Sequence, residues 1–408
     1  MFPIRKLFKS ILTSLRRKGN RWLLDSAIVK LGKLPSEETL PQSIVVIRPD
    51  HLGDFVLTTP IFRALKAKYP DAKLHLLASK SVMQLAIGCH EIDTFITIPK
   101  GFTCWCSFLE IPLSTTLRIA WFARRFLRPL QPELVILPRV DADCYGSIWI
   151  TAFSGASRRI AFSESSTQWK ASYNRGSDKV FTDVIRAIPG SHEVESLRTL
   201  ANIMELDISS WKTYLWWSGR DLELVDELIN GIKGNPILVF APGAADERRR
   251  WPAPYFGEAG RRLELLGYRI IIVGGPSDRE IGEEISSYLT NGMHLNFAGK
   301  LSLQETAAVM SRCAVFIGND SGPMHMASAV QVPCVEVSSF PKNGEISHVN
   351  SPSRFGPWAV PSIVIQPDSS LAPCTGYCMD SHAHCIRQIT PDQVVNAVCA
   401  LVEITDGN

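Results

Sequence analysis

Short continuous apolar runs alternate along this chain with segments in which apolar residues return every third or fourth position. The runs predict buried strands over 43–48, 73–78, 94–98 and 134–137. Between and after them, helical spacing predicts helices over 53–68, 81–87, 115–126 and 192–204. The second half repeats the theme, with strands predicted over 236–240, 269–273, 295–297, 314–317 and 334–337. Helices are predicted over 255–266, 278–289, 302–311, 322–329 and, at the end, 391–402. Strands alternating with helices predict mostly parallel, doubly wound sheets. The pattern blurs between 150 and 220, where polar loops surround Arg158–Phe162 and three tryptophans (Trp211, Trp216, Trp217) lie in an extended stretch. A domain boundary is therefore placed near 205–225. The expected division is an arm and linker at 1–40, a first domain at 41–215, a second at 216–385, and a terminal helix and tail at 386–408. Each domain then offers a ligand crevice where its strands end and its helices begin.

Charge changes the picture only at the N-terminus. The 408 residues carry a net charge of +3. Residues 1–33 hold nine Lys or Arg and one Asp, so the remainder of the chain is acidic. Ile4, Leu7, Phe8, Ile11, Leu12 and Leu15 fall at helical spacing with cations between them. Two readings follow: a basic amphipathic helix lying in an anionic membrane interface, or an arm packed on the protein's own body. Wholesale nucleic-acid binding is not indicated. The arm lacks the continuous apolar stretch of a signal peptide, and no run is long enough to span a bilayer. A cytoplasmic protein is expected, peripheral on the membrane's inner face under the first of these readings.

Ten cysteines fit a reducing compartment. Most are scattered, but Cys374, Cys378 and Cys385 cluster with His382 and His384. The ligand types suit zinc or iron, although the spacing is no standard zinc pattern and a full set needs a histidine. The reading adopted is no metal, with Cys374, Cys378, His384 and Cys385 as the alternative ligand set.

Candidate chemistry sits in three loops. In Ile44-Val-Val-Ile-Arg-Pro-Asp-His-Leu-Gly-Asp54, a strand gives way to a helix whose first turn carries Asp54. The helix dipole favours the ionised carboxylate there, so Asp54 is either a proton acceptor or a helix cap. Gly53 permits close approach of a ligand. In Gly318-Asn-Asp-Ser-Gly-Pro-Met-His325, a strand runs into a helix beginning with Ser321, Gly322 and Pro323. Backbone N–H groups at such a terminus receive anions, and His325 lies in the same turn. In Pro242-Gly-Ala-Ala-Asp-Glu-Arg-Arg-Arg-Trp-Pro252, three arginines follow a strand end, suited to phosphate oxygens or merely solvated. Asp141-Ala-Asp143 looks like a cation-binding pair, but such pairs are frequent by chance.

Taken together, Arg48-Pro-Asp-His-Leu-Gly-Asp-Phe-Val-Leu-Thr-Thr-Pro60, Arg249-Arg-Trp-Pro252, Val273-Gly-Gly-Pro276 and Gly318–His325 resemble glycosyltransferase family 9. That family includes the lipopolysaccharide heptosyltransferases. The resemblance covers roughly residues 43 to 402, and the basic arm lies outside it. It implies a GT-B fold: two Rossmann-like domains facing a central cleft. It implies an inverting, metal-independent transfer from a nucleotide sugar, usually ADP-heptose, to a lipopolysaccharide or similar glycan acceptor, with no cofactor required. By motif position Asp54 is the general base, and Arg249 offsets charge on the diphosphate. The donor set is Asn319, Asp320, Ser321, Gly322, Met324 and His325, with Gly243 and Gly274. The acceptor set is Asp50, His51, Gly53, Arg124 and Arg125. The alternatives are a catalytically silent relative acting as a membrane-surface binding module, and a nucleotide-sugar epimerase of the same architecture.

Overall fold

A computed structural model of the chain describes residues 2–29, 40–232 and 234–406. The expected linker falls largely outside these residues, as do the side chains of Ile4, Leu7 and Phe8. The chain divides into two compact units.

The first unit takes residues up to 50, 61–83 and 90–209. Its strands are β1 (Ser43–Arg48), β2 (Lys73–Ala78), β3 (Thr94–Thr97), β4 (Leu134–Leu137), β5 (Arg158–Phe162) and β6 (Asp183–Ile185). Its helices are α1 (Phe2–Val29), the second half of α2 (Leu52–Lys68), the start of α3 (Lys80–Ala86), α4 (Leu113–Phe122), α5 (Ser147–Ser154), α6 (Gln168–Tyr173) and α7 (Glu193–Ile203). All strand pairs are parallel, in the order β3-β2-β1-β4-β5-β6. This is the doubly wound dinucleotide-fold order, with its switch point between β1 and β4. Every residue of β1 is buried, which explains its unbroken apolar run.

The second unit takes 51–60, 84–89 and 210–406 of the described chain. It contains α8 (Gly219–Leu228), β7 (Ile237–Ala241), α9 (Ala253–Leu265), β8 (Arg269–Ile272), α10 (Arg279–Ser286) and β9 (His294–Asn296). There follow α11 (Leu303–Met310), β10 (Val315–Asn319), α12 (Gly322–Ala329), β11 (Cys334–Val337), α13 (Pro352–Phe355), β12 (Ser362–Ile365) and α14 (Pro391–Asp406). The sheet order β12-β11-β10-β7-β8-β9 repeats the first unit's topology, with its switch point between β7 and β10. Helix starts are fixed locally: Ser218 with Asp221 and Ser302 with Glu305 form capping boxes on α8 and α11. Phe240, Phe256, Trp251 and Ile317 centre the core, and α14 packs Val394, Val398 and Leu401 into it.

The predicted elements are present, and the structure adds strands β5, β6 and β12 and helices α5, α6, α8 and α13. Beyond the expected strands, β6 and β12 occupy sheet edges, where short, partly exposed segments lack an apolar run. Helix α5 is buried all round, so Ile148, Trp149, Ile150 and Ala152 show no polar face to betray a helix.

The arm forms α1, and its second half packs on the first unit. Leu24 is fully buried in the core with Val45, Ile148 and Trp149. Asn20 Nδ2 donates to the carbonyls of Leu109 and Ile111, and Thr116 Oγ1 donates to Asn20 Oδ1. Ile11, Leu15 and Trp22 remain exposed along one face. Leu113, Leu117 and Trp121 form a second exposed apolar stripe on α4. A π-helical turn over Ala123–Leu127 then brings Phe126 edge-on to Trp121. No helix among the described residues is long and apolar enough to cross a membrane.

Candidate active site

The second unit's switch point is tied across by one side chain. Asn319 ends β10 and is fully buried. Its Nδ2 donates to Pro242 O at 2.7 Å, and its Oδ1 accepts from Trp251 N at 3.0 Å. Both ends of the amide are thus engaged with the loop after β7. The sequence reading placed Asn319 on a ligand; here it spans two loops. Ser321 is the N-cap of α12, and Pro323 sits in the first turn. Ser321 and Gly322 are partly exposed, so this terminus is open to an anion. The side chain of Met324 is fully buried on the helix's inner face.

The three arginines divide their work. Arg248 Nε donates to Asp246 Oδ2 at 2.6 Å, and its Nη1 to Cys378 O at 3.3 Å. Arg250 Nε donates to Ala244 O at 2.8 Å. Arg249 instead reaches β10's end, where Nη1 donates to Asp320 Oδ2 at 3.0 Å. Its side chain keeps a quarter of its surface exposed. Below this pair lies Glu336 of β11, 1% exposed. Burial pushes its carboxyl well up, the Asp320 carboxylate pushes it further, and Arg249 opposes both. Glu336 was missed in the sequence, although a glutamate inside Cys-Val-Glu-Val, an otherwise apolar strand, was the available signal.

The first turn of α2 belongs to this same unit. Asp54 is partly exposed, and its Oδ2 accepts from His51 N at 3.3 Å. That contact is helix capping, and it also fixes where the carboxylate points. Against this turn lies His325, 5% exposed. A Cβ on Gly53 would sit 2.3 Å from His325 Cδ2, and one on Gly322 would meet Leu52 Cβ at 3.2 Å. The starts of α2 and α12 therefore pack side by side. Burial lowers the His325 pKa, while Asp320 and Asp54 raise it and Arg249 lowers it. The lowered pKa favours the neutral imidazole, and among the described residues its Nδ1 has no hydrogen-bond partner.

Other expected residues take different places. Side chains on Gly243 and Gly274 would collide with Asp278, at 2.4 Å and 2.8 Å. These glycines make room for Asp278, whose Oδ2 accepts from Gly275 N at 2.9 Å. In the first unit, Asp50 is buried between Arg48 and Arg139, with Arg48 in turn 3.5 Å from Glu193. Its carboxylate is committed to those ion pairs. Arg124 and Arg125 are exposed on the π-helical turn, Arg125 lying over the Phe126 ring. His51 is exposed. Asp143 accepts from Tyr145 N and Ile148 N at 3.0 Å and 2.9 Å, so it caps the start of α5. Beside it Lys170 is buried, which lowers its pKa to about 8.

Cys374, Cys378, His384 and Cys385 do come together in the second unit. Elsewhere, Cys104 and Cys106 form a disulfide, a departure from the expectation of reduced cysteines.

Two parallel sheets of this order, repeated in one chain, are the architecture of the GT-B glycosyltransferases. Among solved structures, the glycosyltransferase family 9 protein of Veillonella parvula superposes with a TM-score of 0.69. It is 20% identical, covering 90% of this chain and all of that one. The Escherichia coli ADP-heptose lipopolysaccharide heptosyltransferase II superposes with a TM-score of 0.64 at 21% identity, covering 89% of this chain and 99% of that one.

The chain belongs to glycosyltransferase family 9 (heptosyltransferase), whose model matches residues 143–375, more than half its length. It is therefore a glycosyltransferase. The lipopolysaccharide heptosyltransferase 2 of Salmonella typhimurium is 26% identical over 311 residues, 72% of this chain and 81% of that protein. The lipooligosaccharide heptosyltransferase 2 of Haemophilus influenzae is 25% identical over 308 residues, 72% of this chain and 82% of that protein.

Proposed function

We propose that this protein moves heptose, or a related sugar, from ADP-heptose to the core of a lipopolysaccharide, inverting the anomeric centre in a single displacement. The names of its relatives supply donor and acceptor class. One observation carries the mechanism: the first turns of α2 and α12 pack together, so Asp54 lies beside the anion-receptive terminus that Arg249 also approaches. The acceptor hydroxyl attacks the anomeric carbon while Asp54 takes its proton. The bond to the diphosphate breaks, and the charge that grows on the departing oxygen is met by Arg249 and the N–H groups at Gly322. Those groups make magnesium unnecessary at the diphosphate. Arg249 leaves Asp320 for the phosphates, or bridges both. Burial disfavours a negative charge on Glu336 beneath them.

The acceptor is lipid-anchored, and the first unit carries a surface suited to reaching it. Ile11, Leu15 and Trp22 of α1 and Leu113, Leu117 and Trp121 of α4 are exposed, on helices that touch at Asn20 and Thr116. Lys18, Arg21, Arg118, Arg124 and Arg125 are exposed on the same elements or the turn that follows. Apolar and aromatic side chains among cations suit the interface of an anionic leaflet. This reading puts the protein on the cytoplasmic face of the inner membrane.

The test is incubation with ADP-heptose and a heptose-deficient lipopolysaccharide, without added divalent cation, followed by mass spectrometry of the acceptor. A gain of one heptose supports the proposal. Donor binding without transfer would identify a silent binding module, and sugar interconversion without acceptor would identify an epimerase.

A further inference from the structure

Four metal-binding side chains that the proposed transfer does not use converge between β12 and α14. The donor atoms of Cys374, Cys378, His384 and Cys385 all lie within 4.8 Å of one another. The three cysteines are 6%, 4% and 0% exposed. His384 Nδ1 stands 3.5 Å from Cys374 Sγ and 3.5 Å from Cys385 Sγ. A tetrahedral ion with metal–sulfur bonds of about 2.3 Å and a metal–nitrogen bond of about 2.0–2.1 Å separates sulfur from nitrogen by roughly 3.6 Å. The two sulfur–nitrogen distances match that separation, and the remaining donor atoms lie close enough to share one ion. Local backbone supports it: Gly376, at φ +73°, turns the chain between the first two cysteines, and Met379 N donates to Cys374 Sγ at 3.2 Å.

We propose that these four residues bind one thiophilic transition-metal ion, zinc or ferrous iron, through three thiolates and one imidazole. Binding releases the thiol protons to solvent. Four protein ligands leave no open position, so the ion is a structural staple. What it staples is the arginine loop. Arg248 Nη1 donates to Cys378 O at 3.3 Å, and Trp251 Nε1 donates to Ile389 O at 2.9 Å. The metal-bearing segment thus holds the loop on both sides of Arg249. The consequence for donor binding rests on the proposed function; the metal site itself does not.

The experiment uses the full chain, purified under reducing conditions from cells supplied with zinc and iron, and measures metal by plasma mass spectrometry. One ion per chain is expected, and the element found separates zinc from iron. Cys378→Ser and His384→Ala should lose it, whereas Cys399→Ser, outside the cluster, should retain it. Because a ligand variant can fail to fold, stripped wild-type protein is also reloaded with cobalt. A sulfur-to-cobalt charge-transfer band with intense tetrahedral ligand-field bands is expected. Metal removal should weaken ADP binding by roughly tenfold, an ordinary size for coupling between two sites, and Arg248→Ala should reproduce part of that loss. Absence of metal with all three thiols reacting as fast as Cys399, a disulfide among them, or an octahedral cobalt spectrum would each overturn the site. Metal loss with unchanged ADP affinity would overturn the staple's link to the arginine loop. A metal-loaded protein that never binds ADP would leave the site standing and remove the proposed function.

Discussion

His325 is packed so tightly against Gly53 that a single methyl group on the glycine would stand 2.3 Å from the imidazole Cδ2. The contact joins the turn carrying Asp54 to the first turn of α12. Gly53→Ala should cost about 1–3 kcal/mol, the usual range for overpacking. It should also lower turnover by displacing Asp54. In a His325→Ala background the added methyl should cost much less. Denaturant unfolding of the two single variants and the double variant measures this coupling. Simply additive costs would mean that the ring yields.

Asp54→Asn keeps the shape of the side chain and removes its basicity. Turnover should fall by roughly a hundredfold to ten-thousandfold, the range for loss of a general base, with ADP affinity nearly unchanged. The separate readings of kcat and donor Kd decide the matter. If turnover survives, Asp54 is a structural residue of the α2 start and not the base.

Arg249→Ala should weaken donor binding and turnover together, by roughly tenfold to a hundredfold for a charge-assisted contact. Arg250→Ala should do far less to catalysis, because its guanidinium is turned back to Ala244 O. Isothermal titration with ADP, beside initial rates, compares the two. An equal effect of both variants would mean that the loop, and not one guanidinium, is what matters.

Two buried groups give opposite pH dependences. Glu336 has its pKa raised by burial, so its stabilising contribution is complete below the ordinary value of 4.5 and is lost as pH rises towards the folded value. Glu336→Gln should therefore melt higher than the parent at neutral and alkaline pH, with the gap closing near pH 4.5. His325 has its pKa lowered from 6.5, again chiefly by burial. Its contribution is present above that value and is lost as pH falls below it, because the unfolded chain protonates first. Melting curves across pH for the parent and for Glu336→Gln and His325→Gln separate the two slopes. A Glu336→Gln curve parallel to the parent's would show that Glu336 is ionised in the fold.

The membrane surface is best tested without deleting α1, since Asn20 and Leu24 are buried in the first unit. Trp22→Ser with Trp121→Ser changes only exposed rings. The pair should reduce sedimentation with vesicles containing anionic lipid while leaving transfer to a short soluble acceptor intact. Unchanged vesicle binding at low salt would assign these stripes to another role.

The two folds were legible because β1, β4, β7 and β10 are buried on both faces and read as unbroken apolar runs. Edge strands β6 and β12 were not, because a partly exposed edge needs no such run. In the site, Asp54, Asp320 and Arg249 could be singled out because polar residues at strand ends have few structural reasons to be there. The roles of Asn319, Gly243 and Gly274 could not. A ligand contact and a contact with Trp251 or Asp278 ask the same thing of a residue: a small or amide side chain at a crowded turn. Glu336 escaped because its meaning depends on Asp320, a neighbour in space from a different strand end. The ion pairs of Asp50 were hidden for a similar reason: its arginine partners include Arg139, far along the sequence.

The amide of Asn319 has a calorimetric consequence. With one end on Pro242 O and the other on Trp251 N, it fixes the end of β10 against the loop after β7, the two segments to which the proposed function assigns the diphosphate, before any nucleotide arrives. A receptor already held in shape spends little ordering entropy when it is filled. ADP should therefore bind with a small unfavourable entropy, and Asn319→Ala should weaken binding mainly by enlarging that entropy loss. The protein would then recognise its nucleotide as a rigid mould does, with the adjustment left to the sugar and its acceptor.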